Sequence, residues 1–150
     1  MTYNWKLVID ASQFARSAHA YHNQVRKYSG APYFVHCEEV ANLLVDNVID
    51  LPEYVRAGAY LHDVLEDVPE VTYGVLEILF GKEVSQVVQE VTDISVPNDG
   101  NRERRKEIDR NHLSFASHWG ATIKYADLIS NTRGISKHDK GISKGKEVTS

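Results

Sequence analysis

The chain has 150 residues, of which 42% are hydrophobic and 25% are charged, and its formal net charge is −4. This length and composition are typical of one globular domain with a single packed core. The acidic balance argues against a general nucleic-acid-binding protein, which is normally basic. It does not argue against binding of a small phosphorylated ligand, because the local charge of a site can differ from the total charge of the chain.

Cys37 is the only cysteine, so no intrachain disulfide can form, and this favours a reducing compartment. The first residues do not form a charged leader followed by an apolar stretch. No run approaches the roughly 18 apolar residues that span a bilayer. We therefore expect a cytoplasmic protein that has no membrane partner.

Apolar residues recur at helical spacing along nearly the whole chain, and no strand-like alternation of useful length appears. A first helix is indicated by residues that share one face: Leu7, Ala11, Phe14, Ala15 and Ala18. A turn-rich loop over residues 26–32 separates it from a second helix, which begins near His36. Pro52 opens a third helix, which we predict to run unbroken through His62 and Glu66.

The second half of the chain is predicted to be helical as well. Thr72 is placed to cap a fourth helix that ends at Gly81. A fifth helix is indicated by valines at helical spacing: Val84, Val87, Val88 and Val91. After a turn-rich break, a long polar helix is predicted over residues 102–118 and a last helix over residues 121–133.

The sequence thus predicts one all-α domain of about six to eight helices over residues 1–135. It shows no internal repeat and no domain linker. The stretch 136–150 is polar, with two glycines and four lysines, and we predict that it is a disordered tail.

The most informative stretch is Tyr60-Leu-His-Asp-Val-Leu-Glu-Asp-Val68, in which an HD pair is followed by an ED pair. On a continuous helix, His62 lies over Glu66 and Asp63 lies over Asp67, because residues four apart share a face. The pattern therefore predicts a strip of surface that combines metal ligands with candidate acid/base groups.

Two imidazoles and two carboxylates suit one divalent ion, and we predict that His36, His62, Asp63 and Asp127 are its ligands. His36 and Asp127 would have to reach the ion from neighbouring helices. An octahedral Mn²⁺ or Mg²⁺ ion would keep two positions for water and substrate, as in a catalytic site. Such an ion lowers the pKa of bound water and neutralises charge on a phosphoryl oxygen, which indicates a metal-dependent phosphohydrolase.

Glu66 and Asp67 lie too far along the predicted helix to be ligands of the same ion. We predict that they orient the water, accept its proton or protonate a leaving oxygen, and that their mutual repulsion raises one pKa. The alternative is an ordinary solvated surface, which we also expect for the basic run over residues 102–110. The other histidines are predicted to be surface or capping residues: His19, His22, His112, His118 and His138.

Three stretches together resemble the RelA/SpoT-type hydrolase domain. Gln24-Val-Arg-Lys-Tyr-Ser-Gly-Ala-Pro-Tyr-Phe-Val-His36 is similar to its opening motif, and Ala59-Tyr-Leu-His-Asp-Val-Leu-Glu-Asp67 contains its HDxxED signature. Ile123-Lys-Tyr-Ala-Asp-Leu-Ile-Ser-Asn131 is similar to its third motif, and Val91-Thr-Asp93 resembles the spacer before its arginine-rich helix. The chain departs from the family at Cys37, where relatives usually have proline after the first ligand histidine.

The resemblance implies an all-α HD-domain helical bundle, with Mn²⁺ bound by the four predicted ligands. It implies a stand-alone alarmone hydrolase similar to the metazoan SpoT homolog, which removes the 3′-pyrophosphate of guanosine tetra- or pentaphosphate and releases GDP or GTP. Glu66 and Asp67 would then act on the water and the leaving group. The nucleotide and its phosphates are expected to contact Arg26, Lys27, Ser29, Lys124 and Asn131.

Other functions stay open from the sequence. The same site would suit another nucleotide, such as ppApp, NADPH at its 2′-phosphate or a nucleoside monophosphate. A non-catalytic nucleotide sensor would bind through Arg26, Lys27 and Asn131, but a pure binder has no need of the ED pair. Nucleic acid is not an expected partner, because Glu103 and Glu107 interrupt the basic run. The sequence is compatible with an oligomer.

Overall fold

A computed structural model of the protein describes residues 3–22, 25–26 and 29–142, with side chains as far as residue 133. Within these residues the chain forms eight α-helices and one short 3-10 helix, so the predicted all-α fold is confirmed. In the part of the chain that is described, no helix combines the length and the apolar character needed to cross a bilayer.

The helices follow the chain in the order α1 (Trp5–Tyr21), α2 (Phe34–Asn47), α3 (Glu53–Leu61), α4 (Val64–Asp67), α5 (Tyr73–Phe80), α6 (Lys82–Val91), α7 (Arg102–Leu113) and α8 (His118–Ile142), with the 3-10 helix at Pro97–Asp99 between α6 and α7. Helix α3 is central, because α1, α2, α6 and α8 all pack against it. Its residues from Ala57 to Leu61 are buried, as expected for a helix surrounded by others.

Local signals explain several helix ends. Asn4 caps α1, since its Oδ1 accepts a hydrogen bond from Leu7 N at 3.1 Å. Thr72 caps α5 in the same way, through Val75 N at 3.2 Å, and Gly81 ends α5 with a φ of 94°, which favours glycine. The predicted cap and stop of the fourth helix are therefore confirmed. The fifth helix is confirmed as α6, with its four valines buried.

The prediction of an unbroken third helix is wrong. Helix α3 ends at Leu61 and α4 begins at Val64, so the chain turns within the HD pair. Asp63 has φ −104° and ψ −1°, which lies in the sparsely populated bridge region and not in the α-helical one. His62 and Glu66 therefore do not share one continuous helix face, and the Asp63 carboxylate turns toward the His62 ring.

The last two helices also differ from the prediction. The polar helix α7 ends at Leu113 and not at residue 118. A new helix then begins at His118, because Ser117 accepts hydrogen bonds from Gly120 N through its side chain and from Ala121 N through its carbonyl. Helix α8 continues to Ile142, so residues 136–142 are helical.

The remainder of the predicted tail, residues 143–150, lies outside the described residues. The predicted domain boundary at residue 135 stays a prediction.

The prediction that His19 is a surface or capping residue is wrong. Its side chain is only 1% exposed, and its ring centre lies 5.0 Å from that of Tyr33. The reason is its position on α1, since it continues the buried face of Ala11 and Ala15 at steps of four residues. Among the other histidines, His22 and His118 are exposed and His112 is half-buried. His138 lies beyond the described side chains.

Candidate metal centre

Four side chains from three parts of the fold converge between α2, α3 and α8. The Nε2 atom of His36, in the first turn of α2, lies 2.8 Å from Oδ1 of Asp127 on α8. The Nε2 atom of His62 lies 3.1 Å from the same oxygen and 2.9 Å from Oδ2 of Asp63. The structure therefore brings together the four residues that the sequence predicts to be metal ligands.

The cluster has the dimensions that a single cation requires. One ligand atom from each of the four residues lies within 4.8 Å of the other three. Atoms bound at about 2.1 Å to a common ion are separated by about 3 to 4 Å from one another. His36, His62 and Asp127 are buried, whereas the Asp63 side chain is 14% exposed, so the cluster meets solvent on its Asp63 side. Nitrogen and carboxylate donors in this number suit a divalent ion with open positions.

Hydrogen bonds on the far side of each ring select the nitrogen that faces the cluster. His62 Nδ1 donates to the carbonyl oxygen of Ala59 at 2.7 Å, since a carbonyl can only accept. His36 Nδ1 donates to Ser130 Oγ at 3.0 Å, and Ser130 donates in turn to Glu39 Oε1 at 2.7 Å. Both Nε2 atoms are thereby directed at the carboxylates, which is the orientation that bound histidines usually take.

Arg26 extends this outer network. Its Nη1 lies 3.4 Å from Glu39 Oε2, and its Nη2 donates to the carbonyl oxygen of Ser130 at 3.3 Å. The Arg26 guanidinium therefore contacts Glu39 and Ser130, the two residues that support His36. The contact of Arg26 with a nucleotide stays a prediction.

The ionisation of the cluster reflects its surplus of negative charge. Burial alone would lower the pKa of His62, but the charge of Asp63 and the hydrogen bond with Asp127 hold it well above the usual value. Burial would raise the pKa of Asp127, yet hydrogen bonds with His36 and His62 hold it well below the usual value. Two carboxylates that attract protons onto the imidazoles will also attract a divalent cation, which competes with those protons.

Tyr33 is a contact of the cluster that the residue-by-residue reading of the sequence missed. Its hydroxyl donates to Asp63 Oδ2 at 2.6 Å. Burial and the charge of Asp63 raise the pKa of the phenol well above its usual value, so it remains a donor. The residue lies within the motif that resembles the family's opening motif, but nothing in its spacing marks it as a neighbour of Asp63.

Glu66 lies beside the cluster and has an unusual ionisation. Although the residue as a whole is exposed, partial desolvation and then the charges of Asp63 and Asp93 raise the pKa of its carboxyl to about 8. Asp67 contributes less to this shift than Asp63 does. The predicted rise in one carboxyl pKa is therefore present, but its main causes are partial desolvation and the charge of Asp63.

Of the remaining predicted residues, Lys124 and Asn131 contact Asp127. Lys124 Nζ lies 3.3 Å from Asp127 Oδ2, and Asn131 Nδ2 donates to Asp127 Oδ1 at 3.4 Å. Ser29 is exposed in the loop before α2, where its Oγ accepts a hydrogen bond from Ala31 N. Lys27 lies outside the described residues.

Comparisons with known proteins agree with this geometry. The sequence model of the HD domain matches residues 11–115 of the chain. The guanosine-3′,5′-bis(diphosphate) 3′-pyrophosphohydrolase MESH1 of Danio rerio is 33% identical over 133 residues, which cover 87% of this chain and 70% of that protein. A probable guanosine-3′,5′-bis(diphosphate) 3′-pyrophosphohydrolase of Synechocystis sp. is 34% identical over 132 residues, which are 86% of this chain but only 17% of that longer protein.

A solved structure of a metazoan ortholog of SpoT, described as hydrolysing ppGpp, has the same fold. It superposes with a TM-score of 0.78 at 30% sequence identity, over 91% of this chain and 74% of that one. The chain therefore belongs to the HD-domain family, its resemblance to the RelA/SpoT-type hydrolases is confirmed, and so is the prediction of a metal-dependent phosphohydrolase.

Proposed function

We propose that the protein hydrolyses the 3′-diphosphate of guanosine tetra- or pentaphosphate, releasing pyrophosphate and GDP or GTP. The observation that supports this most directly is the four-residue cluster with an acidic group of raised pKa beside it. The names of the Danio rerio and Synechocystis relatives supply the substrate class. A cytoplasmic location and the absence of a nucleic-acid or membrane partner stay predictions.

We further propose that the cluster binds Mn²⁺ through His36, His62, Asp63 and Asp127. A divalent ion in this place supplies Lewis-acid chemistry and lowers the pKa of a water molecule. The chain itself keeps both imidazoles oriented through Ala59 and Ser130. The mixture of two nitrogen and two oxygen donors is compatible with Mn²⁺, which accepts both kinds of ligand.

In the proposed reaction the oxygen of water forms a bond to the phosphorus next to the 3′-oxygen, and the bond from that phosphorus to the 3′-oxygen breaks. Asp67 accepts a proton from the water. Glu66, whose pKa of about 8 keeps it protonated at neutral pH, donates its proton to the departing 3′-oxygen. Lys124 and Asn131 hold the diphosphate, and the loop with Arg26, Lys27 and Ser29 contacts the nucleotide.

The test is a substrate panel with Mn²⁺, with products separated by anion-exchange chromatography. The panel contains ppGpp, pppGpp, ppApp, NADPH and GMP. We expect pyrophosphate together with GDP or GTP from the guanosine alarmones. Free phosphate from NADPH or GMP alone would indicate another phosphohydrolase, and tight binding without turnover would indicate a sensor.

Two variants connect the activity with the site. His62→Ala removes a ligand and is expected to abolish turnover, whereas Glu66→Gln removes the proton donor and is expected to slow it by about 100-fold or more. Glu103→Gln, at an exposed position on α7, is the matched control and should keep full activity. Turnover that survives His62→Ala unchanged would contradict the assignment of the site.

A further inference from the structure

A concave site lies between α1 and α3, and none of its lining residues belongs to the four-residue cluster. It is a cavity of about 500 Å³. This volume is within the range of small-molecule sites, roughly 300–1,000 Å³. Its lining includes Trp5, Ile9, Ser12, Arg16, Arg56 and Tyr60.

The lining follows the geometry of two neighbouring helices. Trp5, Ile9, Ser12 and Arg16 are spaced at four, three and four residues, so they form one stripe along α1. Arg56 and Tyr60 are four residues apart on α3 and face that stripe across the cavity. A stripe that only packed against α3 would be apolar, whereas this one contains a hydroxyl and a guanidinium.

The two arginines are not neutralised by the protein. Among the described residues neither Arg16 nor Arg56 forms an ion pair, and the lining of the cavity includes no carboxylate. Arg16 is exposed, whereas Arg56 is half-buried. Within the same part of the chain, the Nε–H group of Arg56 is buried without a hydrogen-bond partner. Such a group is costly to leave unpaired.

Both guanidinium groups are held in place by aromatic rings. The Cζ atom of Arg56 lies 4.9 Å from the centre of the Trp5 ring, and that of Arg16 lies 4.6 Å from the centre of the Phe34 ring. Contact through the guanidinium face leaves the N–H donors at its edge for other partners. Because the rings restrict both guanidinium groups before a ligand binds, less side-chain conformational entropy is lost on binding.

We propose that this cavity binds a small organic anion. A phosphate or carboxylate group would be held by Arg16 and Arg56, with Ser12 as a further donor, and an aromatic part would contact Trp5, Ile9 and Tyr60. Arginine forms paired hydrogen bonds with such anions, and the half-exposed Trp5 side chain offers apolar surface beside the Arg56 guanidinium. The proposal does not depend on the reaction at the metal centre, since the two sites share no residue.

The test uses phenyl phosphate as the probe and nuclear magnetic resonance of the ¹⁵N-labelled full chain in EDTA. The chain has two tryptophans, Trp5 in the cavity and Trp119 on α8, so two indole N–H signals are expected. Trp119→Phe assigns them. We expect the Trp5 signal to shift in a saturable way, with a Kd of roughly 1 mM for a ligand of this size, while the Trp119 signal stays in place.

Arginine variants test whether Arg16 and Arg56 hold the anionic group. Arg16→Gln and Arg56→Gln should each weaken binding about tenfold, whereas Arg102→Gln on the exposed face of α7 should not. Arg16→Lys keeps the positive charge but removes the planar guanidinium with its paired donors, and we expect it to weaken binding less than Arg16→Gln does. The amide spectrum of each variant shows whether it is folded.

Three results would overturn the proposal. One is the absence of a saturable shift of the Trp5 signal. A second is equal binding of benzyl alcohol, which has no charge. The third is equal binding of inorganic phosphate, which has no aromatic part. His62→Ala should leave the titration unchanged, so a failure here is distinguishable from a failure of the proposed phosphohydrolase activity.

Discussion

Each imidazole of the metal-site cluster is fixed at its Nδ1 atom by a different kind of partner. The partner of His62 is a backbone carbonyl three residues earlier in the chain. The partner of His36 is the side chain of Ser130, which belongs to another helix and is itself held by Glu39. A side-chain partner can be removed by mutation, so the support of His36 can be tested directly.

We expect Ser130→Ala to reduce metal affinity by about 10- to 100-fold, because His36 loses the acceptor that orients its ring. The measurement is a titration with Mn²⁺ against a competing chelator. Thr132→Ala is the matched control, since Thr132 bears a hydroxyl on the same helix, is exposed and, among the described residues, bonds to the carbonyl of Leu128 and not to the cluster. Equal affinity of the two variants would show that the Ser130 link does not support metal binding.

Glu66 makes the metal-free protein sensitive to pH. Its pKa is about 8 in the folded protein, against an ordinary value of 4.5, so the folded state retains a proton that the unfolded state loses. Stability from this group therefore falls as pH rises from about 4.5 to about 8, and then stays constant. We expect Glu66→Gln to raise the melting temperature in EDTA at pH 8.5 but to change it little near pH 4.5.

The measurement is a thermal melt of wild type, Glu66→Gln and Glu103→Gln at both pH values. Glu103 is an exposed glutamate, and its replacement should not alter the pH dependence. A stabilising effect of Glu66→Gln that is equal at the two pH values would contradict the raised pKa. Replacing a functional acid at an active site often stabilises the folded protein, because such groups are kept for function at the expense of stability.

Helix α3 determines how closely the other helices approach the HD pair. Its small residues Ala57, Gly58 and Ala59 allow α6 and α8 to pack against its backbone. At Gly58 an added Cβ would lie 2.6 Å from Val87 Cγ1 and 3.5 Å from Ile123 Cδ1. These distances leave no room for a methyl group without a shift of the valine.

We expect Gly58→Ala to lower the free energy of unfolding by about 1–3 kcal/mol, because overpacking a filled core is destabilising. The measurement is urea denaturation of the metal-free protein. Gly74→Ala, on α5, is the matched control, since its Cβ would meet only Thr72 Oγ1 at 3.9 Å. That change should be neutral or slightly stabilising, because alanine favours the helix. Equal effects at the two positions would contradict close packing at Gly58.

At the scale of the whole molecule, the cluster connects parts of the chain that are distant in sequence. Its four side chains come from α2, from the turn between α3 and α4, and from α8. The unfolded chain does not hold these groups together. A cation that binds all four therefore stabilises the folded protein as a whole.

We expect Mn²⁺ at about 100 times its Kd to stabilise the folded state by about 2.7 kcal/mol, which raises the melting temperature of a chain of this size by roughly 5–10 °C. The measurement is a thermal melt with and without Mn²⁺. Asp127→Asn replaces the carboxylate that contacts both imidazoles and should remove most of this increase. An unchanged increase in that variant would place the bound ion elsewhere.

The helical fold was predictable because its signals are local. The period of the valines of α6, the cap at Thr72 and the stop at Gly81 depend only on neighbouring residues. The four candidate ligands could also be predicted from their chemistry and from the resemblance of the motifs. The break between α3 and α4 could not, because its sequence is compatible with a continuous helix.

The sequence by itself determined the helical class, the family and the identity of the four clustered residues, since these depend on residue type and local spacing. Only the tertiary structure decided that Tyr33 contacts Asp63, that Ser130 and Glu39 support His36, and that desolvation and the charge of Asp63 are the main causes of the raised pKa of Glu66. The physical reason is that these contacts join residues 30 to 94 positions apart, or depend on burial by distant elements. Spacing along the chain does not encode such distances.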